Sequence, residues 1–163
     1  MSRPEEPRTA DGADVTEVLF YHLERQPLER VLPSLIEKAR ERGWRAVVQA
    51  GSGERVAALD TLLWTYREDS FLPHGTKRDG NAALQPVYVT ADDENPNASQ
   101  VLFLVDGAET AALQAYTRVV YLFDGADAVA VAKAREQWKT AVAAGCAATY
   151  WQQSPEGRWL KKT

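Results

Sequence analysis

Residues 45–66 read RAVVQAGSGERVAALDTLLWTY. Arg45 to Ala50 is a run of β-formers and reads as a strand. Gly51-Ser52-Gly53 opens a helix that runs through Tyr66. Val56, Leu59 and Leu63 face inward at helical spacing, with Trp64 at the margin of that face. The preceding stretch repeats the pattern. Thr16 to Leu23, TEVLFYHL, is a strand, and Leu28 to Arg42 is a helix stopped by Gly43. Leu28, Val31, Leu32, Leu35, Ile36 and Ala39 form its apolar stripe. Pro33 demands that this helix either begin near Leu32 or bend. Strand, helix, strand, helix with short links is the signature of an α/β domain with a mostly parallel sheet and right-handed crossovers.

The rest of the chain continues that reading. Glu68 to Leu84 is a loop region, and Pro86 to Thr90 a short strand. The cluster DDENPNAS is turn chemistry. VLFLV, residues 101–105, is continuously apolar and so a buried central strand. A short helical turn at Thr110 to Tyr116 leads to the strand RVVYLF, residues 118–123. Ala126 to Gly145 is one long helix, and Ala147 to Gln152 a last strand. Ser154 to Gly157 is a turn, and Arg158 to Lys162 finishes the chain.

The totals bound the class. With 163 residues, 45% hydrophobic and 26% charged, the chain suits a single domain with a sizeable core. No apolar run approaches the roughly 18 residues of a membrane span. Residues 1–14 carry no apolar signal region and read as a disordered polar lead-in to a domain over residues 15–163. Cys146 is the one cysteine, which excludes an internal disulfide and a Cys-rich zinc site. A cytoplasmic protein is expected. The net charge of −4 speaks against a chain whose main task is neutralising DNA phosphates. Basic patches remain at Lys77-Arg78, on the long helix, and over Arg158 to Lys162.

Catalytic chemistry finds little support. Gly51-Ser52-Gly53 lacks both the Walker A lysine and the three spaced glycines of a dinucleotide loop, so Ser52 is read as a helix cap. His22 and His74 are the two histidines, and neither has a partner at metal-ligand spacing. His22 is read as structural and His74 as hydrogen-bonded within its loop. Cys146 follows the end of the long helix, where the dipole does not lower a thiol pKa. No cofactor or metal is expected.

Two surfaces stand out. On the long helix, at about 100° per residue, Val131, Arg135, Trp138, Lys139 and Val142 share a stripe about 100° wide. Arg135 and Lys139 are one turn apart. The stripe suits a short acidic peptide ending in an apolar side chain and a carboxylate; it equally suits an ordinary amphipathic helix with solvated cations. Trp64, Phe71, Leu72 and Pro73 cluster around one helix end and its loop. They either form an aromatic protein-binding patch or close the core edge.

The order of several motifs resembles the chi subunit of bacterial DNA polymerase III. They are Phe20-Tyr21-His22-Leu23, Gly43-Trp44-Arg45, Leu62-Leu63-Trp64-Thr65 and Ser70-Phe71-Leu72-Pro73-His74-Gly75. Further along come Pro86-Val87-Tyr88, VLFLV, Leu122-Phe123-Asp124-Gly125 and Ala134-Arg135-Glu136-Gln137-Trp138-Lys139, then Tyr150-Trp151 and Gly157-Arg158-Trp159. The resemblance implies a Rossmann-like sheet without a working nucleotide site, and a non-catalytic accessory subunit. It implies a link between the clamp-loader side of the replisome and single-stranded-DNA-binding protein. That link is the latter's acidic C-terminal tail, ending in Pro-Phe, docked on Arg135, Trp138 and Lys139. Single-stranded DNA is then served only indirectly. Where family members carry a Lys one turn before the Arg, this chain has Val131, which weakens the electrostatic part or moves it to Lys133. The resemblance also implies a second surface at Trp64 and Phe71 for the psi subunit or a helicase of the XPD type. The rival expectation is a small-molecule or nucleotide-binding enzyme on a Rossmann-like sheet, with the Gly51 loop as its foothold.

Overall fold

The computed structural model describes residues 15–66 and 72–162. Residues 1–14, expected as a polar lead-in, and Phe71 of the aromatic patch lie outside the described residues. In chain order, β1 is Glu17–Leu23, α1 Leu28–Glu41, β2 Ala46–Gln49 and α2 Gly53–Thr65. Then follow β3 (Gly75–Thr76), β4 (Val87–Thr90), β5 (Val101–Leu104) and β6 (Arg118–Asp124). The chain ends with α3 (Ala128–Ala143), β7 (Ala147–Gln153) and β8 (Trp159–Lys161).

The strands form one sheet in the order β3-β4-β2-β5-β6-β1-β7-β8. Every neighbouring pair is parallel except the last, in which β8 returns antiparallel to β7. The sheet is therefore α/β and mostly parallel, as the strand-helix alternation requires. β5 is central and all four of its residues are buried, in keeping with its unbroken apolar run.

Alternation along the strands feeds two cores. Leu19 and Leu23 of β1 join Leu32 and Ile36 of α1 and Leu59 and Leu63 of α2 on one face. Val18 and Phe20 join Ala134 and Ala141 of α3 on the other. The side chains of α3 that are fully covered are both alanines, so the helix backbone lies close to the sheet.

Pro33 does not delay α1. The helix starts at Leu28, and Pro33 sits within it. The backbone bond that residue 33 would give to Glu29 is lost, and burial of Val31, Leu32, Ile36 and Ala39 along the same stripe offsets that loss. Gly43, at φ +79°, ends the helix as the sequence indicates, with Trp44 N–H donating to Ala39 O at 3.1 Å.

Two features differ from the sequence reading. β3 is a two-residue edge strand inside the segment read as loop. The terminal residues form a true strand, β8, paired through Trp151 with Lys161 and Gln153 with Trp159. Trp64, placed by its spacing at the margin of the inward face of α2, is 50% exposed.

Candidate functional site

The long helix is fixed at both ends by side-chain and backbone chemistry. The Asp127 carboxylate accepts from Val129 N–H at 2.9 Å and Ala130 N–H at 3.2 Å, capping the first turn. At the other end Gly145 takes φ +82°, and Cys146 N–H donates to Ala141 O at 3.1 Å. Between these caps the five stripe residues line up along one edge of α3.

Trp138 is the inner member of that edge. It is partly buried, 5.4 Å from the Phe20 ring and 6.3 Å from the Tyr150 ring. Val131 is also partly buried and packs on the same core. Arg135 and Lys139 are exposed, and Val142 is 52% exposed. Lys139 Nζ is 3.4 Å from Glu136 Oε1, a solvent-exposed pair that water screens. The edge thus offers two cations and an open valine beside an indole anchored in the core.

Tyr150 of β7 belongs to this surface, and helical spacing could not group it with the stripe. Burial raises its hydroxyl pKa, and the positive charge of Arg135 opposes part of that rise. The Tyr150 hydroxyl is 2.7 Å from His22 Nδ1, and His22 Nε2 lies 3.1 Å from Glu24 Oε1. His22 is accordingly structural. Next outward, on β8, Leu160 is 42% exposed.

Lys133 does not stand in for the charge absent at Val131. Its Nζ is 3.6 Å from Glu109 Oε1, and it lines a cavity on the opposite flank of α3 from Arg135 and Lys139. The electrostatic part of the stripe therefore rests on Arg135 and Lys139.

The second set of residues is split by the fold. Trp64 and Pro73 are exposed, whereas Leu72 is 4% exposed and part of the core. Leu72 supports this surface from beneath and offers no side chain to a partner. The loop is tied down by His74, whose side chain is fully buried. Its Nδ1 is 2.7 Å from Leu72 O, and its Nε2 is 3.2 Å from Asp60 O and 3.0 Å from Asp60 Oδ1. The Trp64 ring lies 4.7 Å from the His74 ring, so the exposed indole is backed by a clamped imidazole.

The C-terminal ends of β1, β5 and β6 border a crevice of about 800 Å³. An α/β sheet usually binds its ligand at such a position. Here the lining includes Glu24, Glu29, Asp106, Asp124 and Asp127 against Arg25, Arg55 and Lys133. Arg55 Nε is already 2.8 Å from Asp106 Oδ2. A polyphosphate would face more carboxylates than free cations. Ser52 caps α2 by accepting from Arg55 N–H at 3.3 Å, and a side chain at Gly51 would meet Asp106 O at 3.0 Å. The Gly51 loop is therefore filled by its own neighbours. Burial raises the Cys146 thiol pKa, which disfavours the thiolate that a nucleophile or metal ligand needs. Among the described residues, no helix is long and apolar enough to cross a membrane.

The sequence profile of the DNA polymerase III chi subunit, HolC, matches residues 15–149. The chain belongs to the DNA polymerase III chi subunit family. A similar protein is the "Probable DNA polymerase III subunit chi" of Rickettsia prowazekii (strain Madrid E), 29% identical over 104 residues. That match covers 64% of this chain and 63% of the Rickettsia protein. Membership supports an accessory role in DNA replication. The profile match takes in Arg135, Trp138, Lys139, Val131 and Val142 and ends within β7; β8 lies beyond it.

Proposed function

We propose that this protein is a non-catalytic accessory subunit that binds the acidic C-terminal tail of single-stranded-DNA-binding protein along the outer edge of α3. The observation that carries the reading is the pairing of exposed Arg135 and Lys139 beside the core-anchored Trp138, in a chain of the chi family. The Arg135 guanidinium offers a planar fork to the terminal carboxylate. Lys139 supplies positive potential for the aspartates of the tail. Trp138, Val131 and Val142 give apolar surface to the terminal Phe. An acidic protein serves single-stranded DNA in this way by holding a protein that coats it.

The exposed Trp64 and Pro73, with Phe71, form the surface toward the clamp loader, reached through a psi subunit, directly, or replaced by a helicase of the XPD type. The setting is the cytoplasm. No cofactor takes part.

The test is fluorescence anisotropy of a labelled acidic peptide ending in Pro-Phe. Wild type should bind at low salt, and Arg135→Ala should bind at least tenfold more weakly, a loss of roughly 1.4 kcal/mol. Removing the final Phe should cost as much. Equal binding by wild type and Arg135→Ala would remove the α3 edge from the reading. A thermal-shift screen with nucleotides addresses the rival enzyme, and a stabilising nucleotide would revive it.

A further inference from the structure

The opposite face of the sheet holds a second, smaller cleft, of about 120 Å³, between the C-terminal half of α1 and the strands β1, β5 and β6. Its floor is apolar, including Leu35, Val120 and Phe103, and its polar rim consists of Lys38, Arg42 and Arg118. No carboxylate lines it. Among the described residues Lys38 and Arg42 have no carboxylate partner, while Arg118 Nη2 reaches Glu17 at 3.3 Å. Arg118 Nε–H is buried without an acceptor. In a protein of net charge −4, this is a local excess of cations around a small apolar cleft.

We propose that this cleft docks an acidic peptide segment through one bulky apolar side chain, with flanking carboxylates on Lys38, Arg42 and Arg118. The volume suits about one leucine- or phenylalanine-sized group. The guanidinium forks of Arg42 and Arg118 suit carboxylates. Trp44 holds both arginines in place, with their guanidinium carbons 4.5 Å and 5.2 Å from the Trp44 ring. The same contacts argue against single-stranded nucleic acid as the occupant. Nucleic acid needs free aromatic faces for its bases. Two cations already cover Trp44, and Trp151 and Trp159 pack on Tyr21 at 6.5 Å and 4.9 Å. This site is independent of the α3 edge, because it lies on the other side of the sheet and requires no terminal carboxylate.

The experiment uses the full chain and a labelled peptide of aspartates with one internal Phe and an amidated C-terminus. Anisotropy at low salt is expected to show binding that falls at least tenfold in Lys38→Glu and in Arg42→Glu, and when the Phe is replaced by Ser. Arg135→Ala should leave it unchanged. NMR shift mapping on wild type, with the Trp44 indole N–H and the Arg118 side chain as reporters, locates the peptide even if a variant folds poorly. The proposal is overturned if the peptide does not bind, or if its shifts map to Arg135 and Lys139. It is overturned equally if an oligothymidine of similar charge displaces the peptide and perturbs the same reporters more strongly.

Discussion

The Trp138 ring sits 5.4 Å from the Phe20 ring at an interplanar angle of 56°. Phe20 in turn stacks on Tyr121 at 4.7 Å. The indole of the candidate peptide edge is thus the outermost member of an aromatic series that begins inside the sheet. It has two tasks, packing and recognition, and substitutions can separate them. Trp138→Ala is expected to cost about 2 kcal/mol, below the range for a fully buried tryptophan because this one is only partly covered. Trp138→Phe should cost less than about 1 kcal/mol and retain most peptide binding. Urea denaturation reads the first quantity and peptide anisotropy the second. Full peptide binding by a folded Trp138→Ala protein would exclude the indole from the site.

The helix that presents this edge depends on its first turn. Asp127 satisfies two backbone N–H groups there, and no other acidic residue lies in that turn. Asp127→Ala should lower stability by about 1 kcal/mol, and Asp127→Asn by less. Neither change touches the stripe, so peptide affinity should hold under conditions where the protein stays folded. A loss of affinity in step with the loss of stability would show that the last turns of α3 fray when the first is uncapped.

How much of this was legible in the sequence follows from the range of the forces involved. Strands β1, β2, β4, β5 and β6 were visible because continuous apolar runs belong in a parallel sheet covered on both faces. The helices were visible from their stripes, and the Ser52 cap from its position before α2. β3 was missed because two residues at a sheet edge leave no periodic signal. Pro33 left two readings open because tertiary burial decides what a helix interior tolerates. The exposure of Trp64 and the burial of Leu72 depend on a clamp between His74 and Asp60 across 14 residues of chain. At the candidate site, residues on one helix could be grouped by spacing. Tyr150 comes from another strand and could not. Lys133 was separable from Arg135 only once the flanks of α3 had neighbours.

Gly125 shows a steric constraint of the same long-range kind. A methyl group there would overlap the His22 ring and lie 2.9 Å from Leu23 O. Gly125 N–H also donates to Leu23 O at 2.8 Å, so the turn after β6 is pinned to the end of β1. Gly125→Ala should destabilise by about 2 kcal/mol. The double variant with His22→Ala should recover part of that loss, because the ring is gone while the carbonyl contact stays. Strictly additive effects in the thermal or urea cycle would refute the contact between these positions.

The aromatic core also sets an alkaline limit. Burial, with Asp93 nearby, raises the Tyr116 hydroxyl to about 12. Burial, followed by Glu109 and Cys146, does the same for Tyr121. In the unfolded chain tyrosine ionises near pH 10. Below that pH both states hold the proton, and stability does not depend on these groups. Between about pH 10 and pH 12 the unfolded chain sheds protons that the folded chain keeps, so stability falls as pH rises. The slope should approach roughly 1.4 kcal/mol per pH unit for each of the two tyrosines. Urea midpoints measured across pH 9 to 11.5 should therefore decline from about pH 10, with the decline reduced in Tyr116→Phe and Tyr121→Phe. Ultraviolet titration of the folded protein should show both phenols ionising late, in step with unfolding. Ionisation of both near pH 10 without loss of structure would mean that their hydroxyls are reached by water in the native state.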